Sequence, residues 1–198
     1  MSCDIVKGRL EPCKDSVGGI KELYFANYQI HATINSDDEI TDLSTSADSA
    51  VAVTLFKYEV KGATNLEQTT TSSRDTGTTF WSQVLNATFK KLDASTQKEL
   101  KLMAYGRPQV VVVDYNGNAF LCGMEHGMEV TGGTIVTGTA MGDLSGFTIA
   151  LTGNERYPAN FLDGSTDANP FAGLTTAPTI TVGRSEERRV GKECRSRW

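Results

Sequence analysis

The residues able to do chemistry are few and widely spaced. Glu125-His126 is the one place where a carboxylate adjoins an imidazole, the pairing used in general acid–base catalysis. On a strand such neighbours point to opposite faces, so the sequence does not predict that they pair. His31 lies far away and no Cys-x-x-Cys occurs, so no zinc-ligand spacing is present. Cys3 and Cys13 are separated by nine residues, with Pro12 beside the second, and form no disulfide framework. Cys122 follows Leu121 in an apolar stretch and reads as a core thiol. The run Thr131 to Gly138 (TGGTIVTG) imitates a phosphate cradle but lacks the lysine and the following helix. Glycines that let strands pack closely are the plainer reading. Asn86-Ala87-Thr88 matches a glycosylation acceptor but falls in an expected strand. Asp37-Asp38-Glu39 could hold a cation, although an acidic run in a Ser-rich stretch reads first as a solvated loop. Arg74-Asp75 reads as an inter-subunit ion pair or a solvated turn. No nucleophile elbow, metalloprotease motif or phosphate loop is present. The sequence therefore predicts no enzyme activity, no cofactor and no metal.

Charge sharpens this picture once the end of the chain is set apart. Residues 184–198 (RSEERRVGKECRSRW) are strongly basic and resemble the in-frame translation of a high-throughput sequencing adapter. A natural basic tail that binds nucleic acid is the other reading. The whole chain has 19 basic and 24 acidic residues, net −5. Setting aside the six basic and three acidic residues of that segment leaves 13 against 21, net −8. Such a body is a poor grip for phosphates. No apolar run approaches the ~20 residues of a membrane helix. The N-terminus Met1-Ser2-Cys3-Asp4 has no signal-peptide pattern.

The elements that must position these residues are mostly strands. Threonine is abundant, with 24 copies, and favours strands and loops. Ile20 to Ile34 predicts a strand or two, residues 35–50 an exposed acidic loop, and Val51 to Val60 a strand with a phase change. Residues 62–79 (GATNLEQTTTSSRDTGTT) predict a long polar loop that is either disordered or an interaction arm. Phe80 to Leu92 predicts a strand with Trp81, Leu85, Ala87 and Phe89 on one face. Asp93 is a natural N-cap for a helix from Ala94 to Tyr105, with Leu100, Met103 and Ala104 as its stripe and Gly106 at C′. Gln109 to Tyr115 is a strand, and Asn116-Gly117 signals a two-residue hairpin that sets Val113 opposite Phe120 and Val111 opposite Cys122. Strand segments flank Gly132-Gly133. Phe147, Ile149 and Leu151 alternate on a final strand. Three units follow: a β domain over 1–153, an extended arm over 154–183, and the adapter-like end over 184–198. The fold class is mainly β, a β-sandwich or small barrel with one flanking helix at about 93–105.

This order of elements resembles the tail-tube proteins of long-tailed bacteriophages and of contractile injection systems. Carrying the resemblance are Asp93-Ala-Ser-Thr-Gln-Lys-Glu-Leu, the hairpin Gln109–Gly123, and Glu129-Val-Thr-Gly-Gly-Thr through Gly142 to Glu155. Lys7 to Gly19 also resembles the start of virion structural proteins of phages infecting gut Bacteroidetes. The resemblance spans roughly residues 1–162 and implies a non-enzymatic virion protein, made in the host cytoplasm. Six copies would form a ring, and rings would stack into a tube. Its partners would be further copies of itself and other phage tail proteins, with no membrane. DNA would pass through the lumen without being held, which acidic walls favour. It also implies that residues 62–79 contact neighbouring subunits, with Asn65, Gln68, Arg74 and Asp75 as the contact residues. The Pro-containing segment 154–183 departs from simple tube proteins and leaves room for a neck-ring or tail-completion protein of similar fold. A monomeric β-sandwich module binding carbohydrate or a cell surface is the alternative from another class.

Overall fold

The computed structural model describes residues 7–11, 13–45, 51–60 and 62–183. Cys3, Cys194 and the adapter-like end lie outside the described residues. The architecture is mainly β and sandwich-like, with one helix. Its centre is a six-stranded sheet built from β1 (Ile20–Ala26), β4 (Thr54–Glu59), β7 (Gln109–Asp114), β8 (Ala119–Cys122), β11 (Asn160–Phe161) and β12 (Thr179–Val182). The strand order is β11-β8-β7-β1-β4-β12, and only β12 runs parallel to its neighbour. A four-stranded antiparallel sheet, β5-β6-β10-β9, comprises β5 (Asn65–Ser73), β6 (Thr78–Lys90), β10 (Gly146–Glu155) and β9 (Glu129–Val136). A hairpin of β2 (His31–Ile34) and β3 (Ile40–Ser44) forms a third, two-stranded piece.

The central sheet has a core on each face. Leu23, Phe25, Val110, Val112 and Cys122 point to one side, where Leu85, Ala87 and Phe89 of β6 and Phe147, Ile149 and Leu151 of β10 meet them. Tyr24, Ala26, Val111, Val113, Ala119 and Leu121 point to the other. There Ile30, Ile40, Leu43, Leu162, Phe171 and Leu174 cover them. This explains the unbroken Val110-Val111-Val112-Val113 run, since a strand buried on both faces has no reason to alternate. It also explains the phase change predicted in Val51 to Val60. Leu55 serves the second core and Val60 the first. The four-stranded sheet is buried on one face only, so β6 and β10 alternate cleanly between buried and half-buried positions.

Several expectations are corrected. The predicted polar loop at 62–79 contains a nine-residue strand, β5, paired along its whole length with β6. It was invisible as a strand because an edge strand with one solvated face needs few apolar residues. The acidic loop predicted at 35–50 contains β3, whose Ile40 and Leu43 are fully buried. Gly132-Gly133 does not separate two segments but lies inside β9, beside a bulge opposite Ala150 and Leu151. A side chain on Gly133 would come within 2.8 Å of the Thr148 carbonyl, so close strand packing is the reason for that glycine. Residues 154–183 fold back on their own domain: Leu162, Phe171 and Leu174 are buried, Thr175 N–H donates to the Thr41 carbonyl, and β12 adds to β4.

The helix α1 (Ala94–Tyr105) has the predicted bounds. The Asp93 carboxylate accepts from the Thr96 N–H at 3.1 Å and from the Ser95 hydroxyl. Gly106 is not left-handed, with φ −98°, yet its N–H donates to the carbonyls of Leu102 and Met103. Only Leu100 and Met103 of the predicted stripe press on the first core, while Ala104 stays exposed.

The Asn-Gly hairpin forms one residue out of the predicted register. Val113 pairs with Ala119 and Val111 with Leu121. The Asp114 N–H bonds the Asn118 carbonyl, leaving a three-residue loop. Asp114 imposes it: Oδ1 accepts from the N–H groups of Asn116 and Asn118, and Oδ2 from both side-chain amides. Only Gly117 is left-handed, at φ +83°, whereas a two-residue type I′ loop needs two such residues.

Candidate functional site

The four sequence-predicted contact residues fall on one hairpin, β5–β6, but not together. Asn65 opens β5, opposite Asn86. Gln68 is half-buried, and its Oε1 accepts from the Ala159 N–H at 2.8 Å. Arg74 and Asp75 sit exposed in the turn, with no ion pair or side-chain hydrogen bond among the described residues. Nine strand residues at ~3.3 Å each put Asn65 about 30 Å from the turn.

The outer end of this hairpin projects from the domain. β10 pairs with β6 only as far as Trp81, opposite Glu155. Beyond that point Thr71, Ser72 and Ser73 pair with Phe80, Thr79 and Thr78 alone. Hydroxyls bridge the ribbon, Ser72 to Thr79 at 2.8 Å, and Phe80 remains 39% exposed on it.

Both edges of the four-stranded sheet, β5 and β9, pair with no further strand among the described residues. Its outer face carries short polar side chains in register. One row runs Thr88, Thr148, Thr134, the last two hydroxyls 2.6 Å apart. The next runs Asn65, Asn86, Ala150, Gly132, and then Glu67, Val84, Thr152, Glu129. Glu67 and Glu129 are its charges, with Lys90 at one end. None of these positions is buried.

His126 finds a carboxylate, but a different one from its neighbour. It lies in a turn before β9, and its Nδ1 is 3.3 Å from Oε2 of Glu155, at the end of β10. Glu155 is 3% exposed, and its oxygens accept the backbone N–H groups of Glu125 at 3.2 Å and His126 at 2.9 Å. Glu125, His126 and Glu155 offer ligand atoms within 4.8 Å of one another, a metal-sized group. The backbone bonds to Glu155 make it first a clamp on the turn. Burial, with a smaller push from Glu155, raises the Cys122 thiol to about 12, leaving it unreactive at neutral pH. Cys13 is exposed and free.

Sequence reasoning missed two buried glutamines that hold the ends of the strands. Gln109 Oε1 accepts from the Ile30 N–H at 2.7 Å, and its Nε2 donates to the Met124 carbonyl at 2.9 Å. Gln83 Oε1 accepts from the Gly123 N–H at 2.9 Å. Gln83 carried a usable signal, since it shares the inward parity of Leu85, Ala87 and Phe89. No protein-family model, curated protein or solved structure matches this chain. No helix among the described residues is long and apolar enough to cross a membrane.

Proposed function

We propose that this protein is a self-assembling structural subunit of a phage tail. Copies join edge to edge into rings, six to a ring, and rings stack into a tube through which DNA passes. The observation that carries this reading is the four-stranded sheet, with two open edges and a bare, short-chained outer face. Open edges are normally blunted by charge, proline or cover. Here β5 has only Glu67 and β9 only Glu129, neither has a proline, and α1 touches β9 near Thr134 without pairing with it. Joining β5 of one copy to β9 of the next would extend the sheet around a ring. The Thr, Ser and Asn face would then line the lumen, where Glu67 and Glu129 outweigh the one lysine, Lys90, and suit passage of a polyanion. The projecting end of the β5–β6 hairpin, with Arg74 and Asp75, would reach the neighbouring ring. The protein is then a component of the virion, its partners its own copies and other tail proteins.

A second reading, a monomeric carbohydrate- or surface-binding module, draws on one observation. Trp81 lines an open groove with Phe120 and Phe161. Size exclusion and negative-stain microscopy separate the two. A domain of this size is ~40 Å across, so a ring of six is about 100 Å wide. Rings or tubes of that width are expected, and Thr69→Lys on β5 with Thr131→Lys on β9 is expected to abolish them without unfolding the monomer. A wild-type chain that stays monomeric at high concentration would sink the assembly reading.

A further inference from the structure

The helix α1 carries apolar side chains on two faces. Leu100 and Met103 press on the first core, yet none of its 12 residues is fully buried. Turned the other way, Lys98, Lys101, Leu102 and Tyr105 stand at i, i+3, i+4 and i+7 and form one stripe. Leu102 is 55% exposed and Tyr105 82%. Neither lysine has an ion pair among the described residues. A helix this short draws its stability from packing, and here its outer apolar side chains meet only water.

The opposite flank of the domain offers the complement. α1 runs beside β9, one edge of the four-stranded sheet. At the other edge an open groove of about 410 Å³ lies between β5 and the strands β8 and β11 of the central sheet. Trp81, Phe120 and Phe161 line it, the two phenyl rings with centroids 4.6 Å apart and Phe161 48% exposed. The β2–β3 turn adds Asp37, Asp38 and Glu39 along its lip, and no lysine or arginine lines it. The two features also stand at one level along the strands. The Met128 N–H donates to the carbonyl of Pro108, just past α1, at 2.9 Å, and Met128 lies against Gly153 of β10. Gly153 pairs with Gln83 of β6, and Gln83 with Gln68 of β5, which borders the groove.

We infer that this groove is the seat for the outer face of α1 from the next copy of this chain. Leu102 and Tyr105 cover the aromatic floor, and Lys98 and Lys101 meet the acidic lip. A second copy is the occupant because the charges and apolar side chains that the groove lacks are those left uncovered on α1. The contact rests on the reading of a ring joined through β5 and β9. Since α1 flanks β9 and the groove flanks β5, that junction brings the two side by side. The faces differ, so the contact is heterologous and passes from each copy to the next until the rotation closes. It also supplies what the strand edges lack. β5 is rich in threonine and serine and β9 holds two adjacent glycines, so their pairing alone fixes register weakly. An aromatic anchor in a groove, with opposite charges around it, fixes register and partner together.

Charge reversal tests the contact without touching either core. Lys98→Glu with Lys101→Glu makes the helix face acidic, and Asp37→Lys with Asp38→Lys makes the lip basic. Lys91, at φ +70°, shows that lysine takes the left-handed backbone held by Asp38 at φ +62°. Each reversed chain alone is expected to need about tenfold more protein, or higher still, to form rings in size exclusion and negative stain. An equal mixture of the two is expected to regain wild-type assembly. Around an alternating ring, acidic helix then meets basic lip and basic helix meets acidic lip, which misfolded chains could not do. In full chains also carrying Trp198→Phe, Trp81 is the sole tryptophan. Its emission is expected to move to shorter wavelength on assembly, as Leu102 and Tyr105 cover it. If wild-type rings form, the contact is overturned by any of three results: rings from either reversed chain at wild-type concentration, a mixture that stays monomeric, or unshifted Trp81 emission in the rings. Each of these leaves the sheet-joined ring standing. A wild-type chain that stays monomeric removes both.

Discussion

The two large sheets of this protein stand in different relations to water. The six-stranded sheet is covered on both faces at its centre, where four consecutive valines of β7 are all buried. The four-stranded sheet is covered on one face; its other face is exposed or half-exposed, and its edge strands pair with no further strand among the described residues. The first can contribute stability and little else, because none of its central surface is available. The second is held to the core by Leu85, Phe89, Phe147 and Leu151 while presenting rows of threonine, serine and asparagine outward. A covered sheet answers to packing on both sides, whereas a half-open sheet answers to packing on one side and to water on the other.

The contrast predicts a graded series of effects. Leu121→Ala, in the second core, should cost about 3–5 kcal/mol in urea denaturation, since a fully buried leucine leaves a cavity. A loss under 1 kcal/mol would mean that the rear cover packs loosely. Gly146→Ala tests the half-open sheet at its backbone. The added carbon would stand 2.1 Å from the Phe89 carbonyl, and a cost of about 2–3 kcal/mol is expected from forcing β10 off β6. Unchanged stability would show that the two strands separate easily there. Gln109→Leu should cost about 2 kcal/mol by stranding the Ile30 N–H and the Met124 carbonyl; a neutral result would assign the anchoring to the strands alone.

A smaller effect is expected from acid. Burial pushes the Asp114 carboxyl up, but bonds from Asn118 and Asn116 outweigh it and leave the folded value below the ordinary 3.8. A depressed carboxyl contributes stability above its unfolded value and loses it as pH falls through the folded one. Asp114→Asn should therefore lose less stability than wild type as pH drops below 3.8. Parallel acid curves for the two proteins would refute that role. The smallest change is expected at Thr148→Ala, on the open face, within about 0.5 kcal/mol for the monomer. A larger monomer effect would erase the distinction between the faces.

The same contrast decides what could be read from the sequence. The helix was legible to its end residues because Asp93 and Gly106 punctuate it locally. β7 was legible because a doubly buried strand is written in β-branched residues. The hairpin was legible but its register was not, since Asp114 chose a three-residue loop with side-chain bonds that spacing alone does not reveal. β5 was missed because its outer face and edge meet water, so threonine and serine replaced the expected alternation. β3 was missed because Ile40 and Leu43 are buried by residues 162–174, a partner distant in sequence. The Glu155–His126 contact joins positions 29 apart in sequence, and the aromatic groove draws on β6, β8 and β11 together. Only the finished topology assembles such sites.

The rear cover of the central sheet also has a consequence for synthesis. All of the front core but Ala159 has been made once β10 ends at Glu155, but Leu162, Phe171 and Leu174 come later in the chain and β12 later still. At typical ribosome speeds the delay is on the order of a second. During that interval Tyr24, Leu55, Val111, Val113 and Leu121 keep only the part of their cover that Ile30, Ile40 and Leu43 supply. A nascent chain cleaved in that window would carry a nearly finished front and an incompletely covered back, so residues 162–182 decide whether that back is closed.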